Sequence, residues 1–402
     1  MKARWLGMKP QRLAILGATG SIGHHTLEVV RQHRDRFRVY AFAARRDWQG
    51  MLALAHEFQP EVVAFSDTDA ALSFREALGR HTPAVQVEAG AASLCALVQA
   101  PAVDMVVAGI SGFAGLASTW AAVEAGKRVL LANKEALVAA GRLLLARAAA
   151  RGAQIVPLDS EHNALYQCLG GLDTARKGVA RLTLTASGGP FRTRDLASFA
   201  TITPEEAVRH PNWAMGRKIS VDSATLINKG LEVIEAALLF DRSPDEIDVL
   251  IHPSSVVHAL VEFVDGSVLA HLGPSNMSVP IAHALGASER LSLSVERLSL
   301  ARLGRLEFFA VDPERYPALS LAYEALSSGQ AACIALNASN ELAVEAFLEG
   351  RLRFTDIVPV IEATLSHASA KEPKTLEDVY AIDQEARRLA YGFVEERARR
   401  VA

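Results

Sequence analysis

Arg12-Leu13-Ala14-Ile15-Leu16-Gly17-Ala18-Thr19-Gly20-Ser21-Ile22-Gly23 is the stretch that decides the fold. An apolar run of strand length ends at Leu16, glycines follow at every third position, and a helical pattern carrying Leu27, Val29 and Val30 begins at once. Glycines permit a tight turn and close backbone approach, and the helix N-terminus offers free amides to a pyrophosphate. The spacing is G-x-x-G-x-x-G rather than G-x-G-x-x-G, so the placement between strand and helix carries the reading. Gly17, Thr19, Gly20, Ser21 and Ile22 are the candidate nucleotide contacts.

Outward from that loop, Val39-Tyr40-Ala41-Phe42-Ala43 reads as the second strand and runs into Ala44-Arg45-Arg46. An acid near this position suits the ribose 2′-hydroxyl of NAD, whereas arginine suits a 2′-phosphate. Arg45 and Arg46 therefore favour NADPH; a solvated turn with Asp47 as helix cap is the plainer alternative. Further strands are expected at Val62-Val63-Ala64-Phe65, Val85-Gln86-Val87, Met105-Val106-Val107-Ala108, Val129-Leu130-Leu131-Ala132 and around Ile155, with helical stretches between them. That alternation means a parallel, doubly wound α/β sheet.

At 402 residues, 50% hydrophobic and 22% charged, the chain is long enough for several domains, each with its own core. A net charge of −3 provides no field for nucleic acid, so any phosphate specificity is local. Cys95, Cys168 and Cys333 have no paired spacing, which points to a reducing compartment without disulfides or structural zinc. No leader is expected from the short opening Met1-Lys2-Ala3-Arg4-Trp5. Met105 to Val123 is uncharged and of membrane-spanning length, but its glycines and hydroxyls read as strand, glycine loop and helix.

Gln154-Ile155-Val156-Pro157-Leu158-Asp159-Ser160-Glu161-His162-Asn163 begins as a strand and ends in two carboxylates one residue apart. Such groups leave the C-terminal edge of the sheet, where ligands bind, and hard cations want oxygen donors. An acidic helix cap built from Asp159 or Ser160 satisfies the same pattern. Asn133-Lys134-Glu135 occupies the same kind of edge after the Val129 strand.

Beyond Arg181 the texture changes. Leu182-Thr183-Leu184-Thr185-Ala186 is a strand, and Ser187-Gly188-Gly189-Pro190 is a small-residue loop able to cradle phosphate. Thr203-Pro204-Glu205-Glu206 is a helix start. His210-Pro211-Asn212-Trp213-Ala214-Met215-Gly216-Arg217-Lys218 reads as a loop with large apolar side chains, either a lid or a surface loop pinned by its tryptophan. Ser223 to Glu235 is expected to be one helix despite Gly230, with Asn228, Lys229 and Glu232 on a single face. That face is either an exposed amphipathic one or the source of a third carboxylate. Val256 to Leu272 is expected to be a hairpin around a type I′ Asp265-Gly266 turn, within a meandering sheet that serves as a dimer surface. Helices are expected over Ala318–Ser328, Ala331–Leu348, Thr355–Ser366 and Leu376–Arg399, the last opened by a capping box from Thr375.

Taken together, the Gly17 loop, Asn133-Lys134-Glu135, the Asp159 segment, Ser187-Gly188-Gly189-Pro190-Phe191, the run His210 to Glu232 and Ala335-Leu336-Asn337-Ala338 resemble the 1-deoxy-D-xylulose 5-phosphate reductoisomerase family of the non-mevalonate isoprenoid pathway. The resemblance implies a Rossmann-like NADPH domain (1–158), an α+β catalytic domain (159–301), a linker (302–316) and a C-terminal helical bundle (317–402) in a cytoplasmic homodimer that engages neither membrane nor nucleic acid. It implies Mg²⁺, Mn²⁺ or Co²⁺ on Asp159, Glu161 and Glu232. Ser160, Lys134, Asn228 and Lys229 then hold the sugar, and Ser187, Ser223, Asn228 and Lys229 surround its phosphate. His210, Trp213 and Met215 belong to the lid, and Asn133, Glu135 and Gly216 join the cofactor contacts. The implied reaction breaks the C3–C4 bond of 1-deoxy-D-xylulose 5-phosphate, recombines the fragments and reduces the branched aldehyde, with Glu161 as candidate acid/base. An NADP-dependent sugar-phosphate dehydrogenase without rearrangement, or a non-enzymatic NADPH sensor, has no use for three carboxylates.

The arginine pair yields a direct test. Replacing Arg45 and Arg46 together by alanine raises the Michaelis constant for NADPH and leaves that for NADH little changed. Equal losses with both cofactors in steady-state kinetics refute a 2′-phosphate contact.

Overall fold

Alternate residues of a strand face opposite sides, so a strand buried at every position is covered on both. In the first sheet β3 (Val62–Phe65) and β5 (Met105–Ala108) meet that condition throughout, and β1 (Gln11–Leu16) and β2 (Phe37–Ala44) in their last four residues. With β4 (Gln86–Ala89), β6 (Arg128–Leu131) and β7 (Gln154–Pro157), they form a seven-stranded sheet in the order β4-β3-β2-β1-β5-β6-β7. Every pairing in it is parallel. The computed structural model describes residues 9–79, 85–172, 178–213, 215–287 and 289–401.

The chain groups into two units. One comprises 1–133, 144–159 and 277–294, the other 134–143, 160–276 and 295–402. The first unit holds the parallel sheet, with Phe42, Phe65, Phe74, Met51 and Leu27 among its core side chains. Strand order reverses between β1 and β5, the switch point at which such sheets bind ligands. The Gly17 loop follows β1 there, and the helix Ser21–Gln32 follows the loop. Gly17 has φ +73°, and a Cβ on it would stand 2.6 Å from the Gly109 carbonyl oxygen. Gly23 lets the helix lie on the loop, since a Cβ there would come within 2.1 Å of the Ala18 oxygen. The uncharged stretch resolves as expected into β5, a turn at Phe113–Gly115 and the helix Leu116–Glu124. Among the described residues, no helix is long and apolar enough to cross a membrane.

The second unit contains β8 (Val179–Ala186), β9 (Ile247–Ile251), β10 (Val257–Phe263), β11 (Val268–Leu272) and β12 (Phe309–Ala310), ordered β11-β10-β8-β9-β12. The expected meander holds only for β10 and β11. β8 and β9 pair in parallel, because two long helices lie between them in the chain and return it in the same direction. The hairpin is present, but its turn is not type I′, which requires positive φ at both central residues. Gly266 has φ +83° and Asp265 is not positive. Gly266 N–H bonds Phe263 O and Phe263 N–H bonds Ser267 O, which makes a longer loop closed by glycine.

The expected single helix over Ser223 to Glu235 is two: Arg217–Thr225 and Ile227–Phe240. Leu226, with φ +64°, breaks them, not Gly230. The Thr225 hydroxyl bonds back to Val221 and Asp222 carbonyls and accepts the Ile227 amide, ending the first helix. Gly230 serves helix packing instead, since a Cβ on it would lie 2.5 Å from the Ala322 methyl of the helix Pro317–Ser328. The other C-terminal helices are Gln330–Leu348, Ile357–His367 and Leu376–Val401, and Thr375 and Asp378 form a reciprocal cap. Phe191, Phe199, Phe347 and Phe354 centre this unit's main core.

Gly230→Ala is expected to destabilise by up to about 2 kcal/mol, because overpacking of about 1–3 kcal/mol is set against a helix-propensity gain of about 1 kcal/mol. Adding Ala322→Gly makes room for the new methyl. A double-mutant cycle read by urea unfolding then shows a favourable coupling; strict additivity contradicts the contact.

Candidate active site

Three helices of the second unit bring charged side chains together. Lys134 opens the helix that follows β6, Glu161 lies in the first turn of Ser160–Leu169, and Asn228, Lys229 and Glu232 lie in the first turns of Ile227–Phe240. Lys134 Nζ stands 2.7 Å from Glu232 Oε1 and 3.0 Å from Asn228 Oδ1. Lys229 Nζ is 2.7 Å from Glu161 Oε1 and also bonds the second Glu232 oxygen. Asn228 donates its amide to Glu232, and Ser160 its hydroxyl to Glu161. Glu232 is 1% exposed, Lys229 3% and Lys134 5%, so the shared face is buried rather than amphipathic. A charge buried alone costs several kcal/mol, which is why each member here has a partner.

Asp159 is joined to this cluster by its peptide bond to Ser160, the first residue of the helix, so the acidic-cap position and the carboxylate group coincide. Oxygens of Asp159, Glu161 and Glu232 lie within 4.8 Å of one another. Oxygens sharing one small divalent cation stand about 3–4 Å apart, so the three carboxylates are spaced close to what one such ion requires. A second grouping adds His162 and Glu235 to Asp159. There the imidazole already bonds the Glu232 backbone oxygen at 2.8 Å and faces Glu235 at 3.4 Å, so the all-oxygen set suits a hard cation better.

Ser187 stands just past the end of β8. Its Oγ is 2.9 Å from His210 Nε2 and accepts the Gly189 amide at 3.1 Å. His210 Nδ1 accepts from the Asn212 and Trp213 amides at 3.2 and 3.0 Å, so the ring is neutral with its proton on Nε2. Burial, with the Lys229 charge added, pushes His210 down to about 4. Ser223 is held against the same loop, since a Cβ at Gly189 would meet its carbonyl oxygen at 2.7 Å. The loop after His210 is anchored by Asn212, which donates to Pro253 O and Ser255 Oγ. Trp213 is part-buried, its ring 6.2 Å from that of His258. Ala214 lies outside the described residues. The loop is shorter than expected, because Gly216 caps a helix that already includes Arg217 and Lys218.

In the first unit, Gly20 caps the Ser21 helix with no side chain taking its amides, which leaves the N-terminus fit for phosphate. Asn133 is 2% exposed and spends its amide on the Ile110 and Gly112 carbonyls, shaping the loop after β5. Arg45 and Arg46 are exposed just past β2. Arg46 pairs with Asp67 at 2.7 Å, and Asp47 does cap the next helix.

Sequence reasoning missed Lys218. It bonds Glu135 at 3.0 Å and Asp222 at 2.8 Å, and Asn340 bonds Asp222 in turn. Burial opposes its charge, but Asp222 and Glu135 outweigh that and hold the ammonium above its usual range. The i,i+4 spacing of Lys218 and Asp222 was the available signal; Asn340 offered none.

A glycine loop on a doubly wound parallel sheet in one unit, and a buried acid–lysine cluster in the other, define an α/β enzyme of the dinucleotide-using class. Residues 13–141 match the family 1-deoxy-D-xylulose 5-phosphate reductoisomerase, residues 155–240 its C-terminal domain, and residues 272–389 the DXP reductoisomerase C-terminal domain. The chain is 49% identical to the 1-deoxy-D-xylulose 5-phosphate reductoisomerase of Tolumonas auensis, over 95% of this chain and 98% of that protein. It is 51% identical to that of Acidithiobacillus ferrooxidans, over 94% and 96%. A crystal structure of DOX-P reductoisomerase in complex with NADPH, fosmidomycin and magnesium superposes with TM-score 0.91 at 45% identity, covering 96% of this chain and 98% of that one. The Zymomonas mobilis enzyme in complex with NADPH gives 0.88 at 43%, covering 96% and 99%. The chain belongs to the 1-deoxy-D-xylulose 5-phosphate reductoisomerase family.

His210 sets a pH signature. The unfolded chain takes up its proton near the ordinary value of 6.5, the folded one only near 4. Its contribution to stability is therefore complete above pH 6.5 and is lost as the pH falls towards 4. His210→Gln should flatten the fall in melting temperature across that interval; an unchanged slope places the titration elsewhere.

Proposed function

We infer that this chain converts 1-deoxy-D-xylulose 5-phosphate to 2-C-methyl-D-erythritol 4-phosphate with NADPH and a divalent cation. The carrying observation is the group Asp159, Glu161 and Glu232, interleaved with Lys134 and Lys229, in a chain related to the family over nearly its whole length. The relative solved with NADPH, fosmidomycin and magnesium supports both cofactors. A dehydrogenase without skeletal rearrangement, or a binding protein, leaves such a cluster without purpose.

In this reading Asp159, Glu161 and Glu232 hold Mg²⁺, Mn²⁺ or Co²⁺. A carboxylate has about four lone-pair positions, so Glu232 can serve both lysines, Asn228 and a cation at once. When bound, the cation polarises the substrate's carbonyl and hydroxyl oxygens, and NADPH supplies the hydride. Lys134 and Lys229 keep positive charge beside an oxygen that becomes anionic. Ser160 and Asn228 orient the sugar, and Glu161 is our candidate for moving a proton. Ser187, Ser223, Asn228, Lys229 and His210 take the phosphate, His210 donating from Nε2. Trp213 closes over the substrate and excludes water. Gly17, Thr19, Gly20, Ser21, Ile22, Arg45, Arg46, Asn133, Glu135 and Gly216 serve the cofactor. By role, the chain divides into 1–158, 159–301, a linker 302–316 and 317–402.

A homodimer fits the exposed apolar side chains Val264, Val268 and Leu269 on the hairpin and Phe308 and Phe309 at β12. A cytoplasmic location fits three free cysteines.

The test is NADPH oxidation with 1-deoxy-D-xylulose 5-phosphate after chelation, with and without Mg²⁺ restored. Turnover should require the metal. Glu232→Gln should lower kcat by about 10²–10³-fold, the scale of losing one preorganised electrostatic group, with NADPH affinity intact. Metal-independent turnover sinks the reading, and near-normal kcat at low Mg²⁺ removes Glu232 from the cation's shell.

A further inference from the structure

Ser187-Gly188-Gly189-Pro190 can receive an anion only if donors, the Ser187 hydroxyl among them, face the ligand and its carbonyl oxygens do not. Gly188 and Gly189 have φ +82° and +65°, a left-handed pair that folds the loop back so that the Gly189 amide meets Ser187 Oγ at 3.1 Å. Two consecutive residues from a distant part of the chain hold one carbonyl of this loop and two of the turn after it. Tyr316, 2% exposed, donates its hydroxyl to Gly188 O at 2.7 Å. Arg315 Nη1 donates to Phe191 O at 2.9 Å and to Arg194 O at 2.7 Å. Arg315 also lies over the Phe199 ring at 5.4 Å, and the Phe191 ring packs on Phe354 at 5.4 Å. The pair is itself fixed. The Asp312 carboxylate accepts the Glu314 and Arg315 amides, Asp312 O accepts the Tyr316 amide, and Tyr316 caps Pro317–Ser328. That helix packs on Gly230, two residues from Glu232.

We propose that Arg315 and Tyr316 are positioning residues for the phosphate end, Tyr316 tying the Gly188 carbonyl oxygen away from the anion and Arg315 bracing the Phe191–Arg194 turn that follows the Ser187–Pro190 loop. Neither residue touches the substrate. The proposal rests on the reading of that loop as the phosphate end of the substrate site. Burial pushes the Tyr316 phenol up to about 12, so it remains a donor throughout the working pH range. The same segment carries the helix against which the Glu232 helix packs, so one strap sets both the phosphate end and a cation ligand.

The experiment compares Tyr316→Phe, Arg315→Lys and Ser187→Ala in the full chain. It reads KM for 1-deoxy-D-xylulose 5-phosphate, KM for NADPH, kcat, and competitive inhibition by inorganic phosphate. Losing a hydrogen bond to a buried carbonyl should cost about tenfold. Tyr316→Phe should therefore raise the sugar-phosphate KM and the phosphate inhibition constant by about that factor, with kcat and the NADPH KM nearly unchanged. Ser187→Ala should weaken phosphate similarly, and combining it with Tyr316→Phe should give less than the product of the two, since both act on one loop. If Ser187→Ala weakens phosphate and Tyr316→Phe leaves it at the wild-type value, the strap is overturned. If Ser187→Ala leaves phosphate binding unchanged, the phosphate reading falls and the strap with it. Should Tyr316→Phe fail to fold, Arg315→Lys decides by the same criteria, because lysine keeps the charge but cannot span two carbonyls.

Discussion

A carboxylate with almost no access to water has to be neutralised by groups held in place around it, and Glu232 is that carboxylate here. Lys134, Lys229 and Asn228 all converge on it. Breaking one buried partner of such a pair costs about 3–5 kcal/mol, a large share of a domain's stability. The helices that carry these residues are thus fixed relative to one another by electrostatics as much as by apolar contact. Leu226 in a left-handed conformation re-aims the Ile227 helix, and Gly230 lets that helix press against Ala322.

The Ser187–His210 end of the cluster is built on different physics. Its groups are mostly neutral: a serine hydroxyl, glycine amides and an imidazole that burial keeps uncharged. Backbone geometry, not charge, shapes it, and the two left-handed glycines carry that geometry. Positive charge nearby comes from Lys229, which also reaches Glu161 and Glu232. One lysine thereby links the neutral end to the acidic one.

In the first unit the demands are steric. Gly17 and Gly23 stand where any side chain collides with backbone, and Asn133 uses its amide to hold the next loop in shape. Nothing in that loop is charged, which leaves the helix N-terminus as the main attraction for an anion.

Local chemistry was legible from the sequence by itself. The glycine spacing, the doubly buried strands, the Asp159–Glu161 pair and the shared face of Asn228, Lys229 and Glu232 all depend on neighbours within a few residues, and periodicity records such relations. What the sequence could not decide was whether that shared face is exposed or buried, because burial depends on what packs over it from elsewhere in the chain. The same reason hid the parallel β8–β9 pairing, the Asn340–Asp222 bond and the hold of Tyr316 on Gly188, whose partners are tens to more than a hundred residues apart. The helix break at Leu226 escaped for another reason: leucine has no intrinsic preference for a left-handed backbone. Only the tertiary structure, by fixing both helices against other elements, makes that strained conformation the lower in free energy.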